Sequence, residues 1–196
     1  GTVASAYLLL KENYSLPIRT YSELNADSFA SIVGGFAKIN EIGEGVALQV
    51  VLKGAGSNPK KKVQGFIRFL KRGETLKKVF DRESASGLSV VIGEALNPQE
   101  PAKEKQEKVV DEEAIRALEA KISKPLFQVN VRVITSALSP FQAGSILDGI
   151  LAGFSQFGAP RRNSFKIVKP RNSVGMVRKF IYRTFEPSET MILSSE

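Results

Sequence analysis

The side chains able to do chemistry are few in this sequence, and they are of a narrow kind. It holds no histidine and no cysteine. That removes the commonest general base and metal ligand, thiolate zinc sites, cysteine nucleophiles and any disulfide scaffold. An enzyme built here would have to work with carboxylates, lysines and tyrosines alone, which points away from catalysis. Two carboxylate pairs occur, Glu41 with Glu44 and Glu112 with Glu113. Both sit in polar turn or helix-end contexts, where a solvated carboxylate is the default. The stretch GAGSNPKKK from Gly54 follows a strand pattern and precedes a helix pattern, as a phosphate loop does. Its sixth position is Pro59, however, followed by Lys60 and Lys61, so the second glycine and the magnesium-binding hydroxyl are missing. A capped helix start accounts for it. Gly43 and Gly45 in GEG precede a strand pattern and read as a turn, outside the dinucleotide-binding context.

Basic residues are the stronger signal. Net charge is +8 over 196 residues. Because acids exceed bases between residues 98 and 113, the remainder is more basic than the average, a balance suited to polyanions such as nucleic acid or anionic lipid. Two groups stand out. Lys60, Lys61, Lys62, Arg68, Lys71 and Arg72 lie on a helix pattern, between apolar residues at helical spacing. Arg161, Arg162, Lys166, Lys169, Arg171, Arg178 and Lys179 fall between residues 161 and 183, where no acid occurs. Phe165, Phe180 and Tyr182 are interleaved there, as in a nucleic-acid surface. The same aromatics also fit the inner faces of strands whose outer faces are basic. The thirteen named cations are the candidate nucleic-acid contacts; no catalytic, cofactor or metal-ligating residue is proposed.

The elements that must carry these residues follow from periodicity. Residues 126–137 alternate Phe127, Val129, Val131 and Val133 with Gln128, Asn130 and Arg132, the pattern of a strand with one buried and one polar face. Ser139 caps a following helix whose first position is Pro140 and whose stripe is Ile146, Leu147, Ile150, Leu151 and Phe154; Gly158 and Pro160 stop it. Upstream, Asp111 caps an acidic-start helix with stripe Ile115, Leu118 and Ile122, ended by Pro125. In the first half, Ser22 or Asn25 caps a helix with stripe Phe29, Ile32, Val33, Phe36 and Ile39. Its Gly34 and Gly35 mark either close backbone packing or a helix break. Val46, Leu48, Val50 and Leu52 form a one-sided strand. Ser57 or Asn58 then caps a helix with Pro59 at its start and Val63, Phe66, Ile67 and Leu70 inward; Leu76, Val79 and Phe80 continue it past Gly73.

Helix, strand, helix thus occurs twice, some eighty residues apart by the spacing of the strand patterns. The fold class expected is α+β, with duplicated helix–strand–helix units, antiparallel strands and covering helices, ferredoxin-like in its alternation. Residues 1–96 form the first αβ lobe, 97–110 a charged, proline-containing linker and 111–196 the second lobe, and the lobes can share one sheet. Residues 16–20, 164–168 and 180–185 are expected as further strands, and 88–92 as a small docking strand. The apolar run 3–10 is too short for a membrane span and lacks the basic flank of a signal peptide. The abrupt ends at Gly1 and MILSSE suggest a piece of a longer protein.

YSLPIRTYSELNADSFASIVGGFAKINEIGEGVALQVVLKG resembles the region ahead of the motor in membrane-linked ATPases of the type IV secretion and conjugation class, FtsK/HerA-like and coupling-protein-like. The shared features are the IRTY segment, a helix, and GEG before a strand of the form QVVL. In the second half they are the acidic helix, KPLFQVNVRVITSA, a helix ending FSQF, and NSFKIV; MILSSE resembles the start of the passage into the nucleotide-binding domain. The resemblance implies a non-catalytic accessory domain joining membrane anchor to motor at the cytoplasmic face of the inner membrane, itself soluble. Its implied partners are its own motor domain, neighbouring subunits of a hexamer and other secretion components, with DNA as a further candidate and no small-molecule substrate. ATP and magnesium are expected only in the motor. A free-standing nucleic-acid-binding α+β protein is the alternative, and an enzyme using carboxylates and lysines the third reading.

Overall fold

The computed structural model describes residues 1–24, 28–37, 39, 42–84 and 110–196. The linker expected at 97–110 lies outside them except for Val110, as do the strand expected at 88–92 and the possible cap Asn25. The strands are β1 (Thr2–Leu10), β2 (Gly45–Gly54), β3 (Leu126–Ala137), β4 (Phe165–Val168) and β5 (Met191–Ser194). The α-helices are α1 (Ser28–Phe36), α2 (Asn58–Lys71), α3 (Leu76–Ser84), α4 (Glu112–Ser123), α5 (Pro140–Ala152) and α6 (Ser173–Ile181), with short 3-10 turns at Tyr21–Glu23, Gly153–Phe157 and Pro187–Glu189.

Strands of both halves make one five-stranded antiparallel sheet in the order β2-β3-β1-β4, with β5 also on β3. β3 is antiparallel to β1 and to β2, so β1 and β2 are parallel with β3 between them, joined through α1. β1 is likewise antiparallel to β3 and β4, so these two are parallel with β1 between them, joined through α5. Two interleaved split βαβ units are the ferredoxin-like arrangement. The repeating unit is therefore strand–helix–strand, one element out of step with the helix–strand–helix frame suggested by the sequence. The strands compared there, β2 and β3, are hydrogen-bonded neighbours, not equivalents. In place of a hairpin between them, the chain inserts α2, α3 and α4.

Two apolar cores result. One lies between the sheet and α1 and α5, built from Ala6, Leu8, Ile32, Val129, Val131, Val133, Leu147, Ile150 and Leu151. Phe154, Phe157 and Phe165 close its end with ring centroids 5.9–6.3 Å apart. The other joins Val63, Phe66, Ile67 and Leu70 of α2 to Val79 of α3, Ala114, Ile115, Leu118 and Ile122 of α4, and Leu126. Gly35 is a point of close approach: a Cβ there would lie 2.7 Å from Ile150 Cγ1, whereas one on Gly34 would meet nothing. Val33 of the expected α1 stripe points outward and is exposed.

Two of the expected caps are in place, whereas Ser22 lies in the 3-10 turn Tyr21–Glu23 and does not cap α1, which begins at Ser28. Ser139 accepts from the Gln142 amide, and Asp111 from that of Ala114. Ser57 stands at the start of α2 without a side-chain bond, and Pro59 occupies the second helical position rather than the first.

Three expected or overlooked elements are corrected. Residues 16–20 form no strand: single bonds from Arg19 N to Phe157 O and from Asn163 N to Pro17 O replace a ladder. The fully buried Asn163 side chain ties down the carbonyls of Glu12, Asn13 and Leu16. Residues 180–185 are not a strand either. Asn172 caps α6 by accepting from Gly175 N, and the helix runs on to a Schellman end: Thr184 N bonds Lys179 O, Arg183 N bonds Phe180 O, and Arg183 takes the left-handed conformation at φ 51. The apolar run at 3–10 is a central strand, β1. Its residues Ala6 and Leu8 are fully buried.

Among the described residues, no helix is long and apolar enough to cross a membrane, and no group of three or more acidic side chains is placed to hold a metal ion.

Candidate functional site

Helix α2 turns Val63, Phe66, Ile67 and Leu70 inward, so its lysines and arginines project outward as one face. Lys62 reaches Glu83 at 3.5 Å and Lys71 reaches Glu119 at 2.9 Å. Lys60, Lys61, Arg68 and Arg72 are exposed and make no ion pair with the described residues. Lys60 and Lys61 stand in the first helical turn, with Lys62 just after them and no acid in that turn, against the preference of the helix dipole. An anion at that end would relieve this, which makes the α2 face a polyanion-compatible surface.

The second basic group is partly neutralised. Arg161 pairs with Asp111 at 3.1 Å and Glu113 at 2.7 Å, Arg162 pairs with Glu23, and Lys169 reaches Asp148 at 2.6 Å. Lys179 lies 2.9 Å from Glu186 and 2.7 Å from Glu189. Lys166, Arg171 and Arg178 are exposed and form no ion pair with the described residues. The interleaved aromatics divide: Phe165 packs on the first core, Phe180 is half-buried and Tyr182 is exposed. The two basic groups also belong to different layers, since α2 packs on α4 whereas α6 packs on β1.

The polar side of β3, expected as a plain polar face, is a buried charged cluster. Arg132 is fully enclosed and donates from Nε to Glu189 Oε2 at 3.1 Å, from Nη1 to Gln49 Oε1 at 3.3 Å and from Nη2 to Asn130 Oδ1 at 3.2 Å. Asn130 donates to the carbonyls of Glu186 and Glu189 and accepts from the Glu186 amide. Gln49 donates to Phe180 O at 2.9 Å. The bonds to Glu186 and Glu189 tie β3 to the C-terminal segment, and Gln49 of β2, itself held by Arg132, ties the sheet to α6, so the cluster fastens both onto the sheet. The hydrogen bond from Lys179 and those from Ser188 hold the Glu186 carboxyl down to about 2. The hydrogen bond that Lys179 donates to Glu189 above all, with the one to Glu186, raises the pKa of the Lys179 ammonium. Sequence reasoning missed the pairing because Glu189 is 57 positions away from Arg132. The available signal was an arginine and an asparagine inside an otherwise strongly apolar strand.

An open groove of about 1100 Å³ runs between residues 11–23, α3 and α4, lined by Leu16, Ile18, Phe80, Ala117, Lys121 and Arg162. Lys121 is buried and donates to Ile192 O at 2.9 Å. Burial lowers its pKa to about 8. Ser84 and Asp111 also line it.

The edge of the sheet carries the remaining notable surface. β2 is an outermost strand, and its Val50 and Leu52 are exposed on the face that Val46 and Leu48 bury farther along. At one end of the sheet, Ile42, Leu138 and Phe141 are exposed as well.

Searches of protein-family models, curated proteins and solved structures find no match to this chain.

Proposed function

We propose that the chain is a non-catalytic accessory domain of a type IV secretion- or conjugation-class ATPase, working at the cytoplasmic face of the inner membrane. It links anchor and motor through contacts with the motor domain and neighbouring subunits of a hexamer. ATP and magnesium belong to the motor, not to this chain. The observation that supports the reading best is the β2 edge. Ten residues of outermost strand carry exposed Val50 and Leu52 beside a backbone edge that no described strand pairs. Soluble proteins usually blunt such an edge with charge or proline unless another chain pairs with it. Reading the gene in frame beyond Glu196 tests the class: a phosphate-loop motor is expected, and an immediate stop codon would overturn the reading. In the full-length protein, Leu52→Lys is expected to weaken subunit assembly by native mass spectrometry. ATP hydrolysis by the 196-residue chain itself would also count against it.

The outer face of α2 favours a second reading, a nucleic-acid-binding α+β protein. Its Lys60, Lys61, Arg68 and Arg72, unpaired among the described residues, would contact phosphates, and each contact contributes about one unit to the slope of log affinity against log salt. Mixed-sequence duplex DNA titrated at about 50 mM salt and above tests this. Binding that is undetectable at the lowest salt ends that reading and leaves the accessory-domain one standing.

A further inference from the structure

Helix α6 is apolar on two sides. Met176 is buried against the sheet, with Val177 and Phe180 half-buried beside it, which accounts for one stripe. The opposite stripe accounts for nothing inside the fold: Val174 is 74% exposed, Ile181 66% and Tyr182 75%. These positions are spaced i, i+7 and i+8, so they share one outward face with Arg178 between them. Arg171 stands just before the helix, exposed, and Arg178 likewise has no ionic partner among the described residues. Strand alternation puts Lys166 on the sheet face opposite Phe165, the same side as α6. The nearby carboxylates of Glu186 and Glu189 are engaged by Lys179 and Arg132. The outward face is thus an apolar strip set among free cations.

We propose that this face of α6 docks on an anionic lipid bilayer. The arginines beside it, unpaired among the described residues, favour a negatively charged partner. Val174 and Ile181 offer nothing to a phosphate backbone, whereas they suit the headgroup–acyl boundary, where an amphipathic helix lies in plane with its apolar side inserted. Tyr182 has the amphipathic ring favoured at that level, and arginine side chains extend their charge toward headgroups. The strip is convex and short. A stable protein partner needs about 800 Å² from each side, more than one face of a nine-residue helix supplies, while lipid attraction adds up cation by cation. Vesicle binding requires no motor, so the proposal stands or falls apart from the accessory-domain reading.

Cosedimentation of the full chain with phosphatidylcholine vesicles containing about 30% phosphatidylserine tests it, at low and at raised salt. The protein is expected to pellet with these vesicles and to stay in solution with phosphatidylcholine alone. Replacing Val174→Ser together with Ile181→Ser removes the inserted area and is expected to weaken partitioning about tenfold or more. Arg178→Gln is expected to weaken it about fivefold, with a shallower salt dependence. Because all three residues point into solvent, circular dichroism should be unchanged. Lys60→Gln with Lys61→Gln on α2 is expected to leave partitioning intact. The proposal is overturned if the parent chain does not pellet, if the α6 variants bind like the parent, or if the α2 pair abolishes binding equally. It also falls if the α6 substitutions remove duplex DNA binding and spare vesicle binding.

Discussion

At the residue scale, neighbouring positions of one type carry opposite consequences. Gly34 and Gly35 are adjacent in α1, and glycine inside a helix costs about 1 kcal/mol relative to alanine. Gly34→Ala meets open space and is expected to stabilise the fold by up to that amount. Gly35→Ala would drive its methyl into Ile150, whose Cα lies only 3.3 Å from the added atom, and is expected to destabilise by about 1–3 kcal/mol. Urea titration of both variants reads the contrast, and equal effects would refute the close crossing of α1 and α5. Lys121 supplies a pH signature. Its folded pKa of about 8 lies below the ordinary 10.5, so the unfolded chain binds more protons between those values. Stability contributed by this site therefore rises with pH from about 8 upward. Lys121→Met is expected to be more stable than the parent at pH 7, with an advantage that shrinks above pH 8, followed by denaturant midpoints across pH. The caps Ser139 and Asp111 were legible in the sequence because a cap bonds within its own first turn. The enclosure of Arg132 was not, because its counter-charge arrives from a distant segment.

At the element scale, long patterns proved readable and short ones did not. β2, β3, α2, α4 and α5 each show a clear period over ten residues or more. Residues 180–185, FIYRTF, alternate as a strand would, yet the upstream Asn172 cap had already committed the chain to a helix. Helical geometry then separates Phe180 from Tyr182, which a strand would have placed together. β1 is not legible as a strand because an apolar run of its length fits several structures, and its neighbours β3 and β4 are remote in sequence. The C-terminal element rests on the Arg132 cluster, which gives a graded expectation. Glu189→Gln leaves Arg132 buried without its charge partner and is expected to cost about 3–5 kcal/mol. Glu186→Gln removes a half-buried surface partner of Lys179, which keeps its bond to Glu189, and is expected to cost about 1 kcal/mol. Similar denaturation midpoints for the two variants would contradict the burial of the first pair. Protonation sharpens the difference: the Glu186 contribution, present above the ordinary carboxylate range, is lost only as pH falls toward about 2.

At the scale of the whole molecule, sequence showed the class of the fold and concealed its frame. The antiparallel α+β character follows from one-sided strands flanked by amphipathic helices. The equivalence of β1 with β3 cannot be read from similarity, because Thr2–Leu10 is nearly all apolar while β3 carries its charged cluster on alternate positions. The basic faces were legible as composition, but which cations remain free was decided by pairing across the fold. Arg161 with Asp111 and Lys71 with Glu119 are such cases.

β3 also has a consequence for how the molecule bears load. β1 pairs with its residues 131–137 and β5 with 126–129, both antiparallel to it and both on the edge that β2 leaves free. The first and last strands are therefore collinear, entering and leaving at opposite ends of one 12-residue strand that spans about 40 Å. Tension applied between the two ends of the chain runs parallel to all three strands. It loads the cross-strand hydrogen bonds together in shear, instead of opening them one after another as a hairpin peels. β3 acts as a splint across the line of force, and the Arg132–Glu189 clasp is the rivet near its middle.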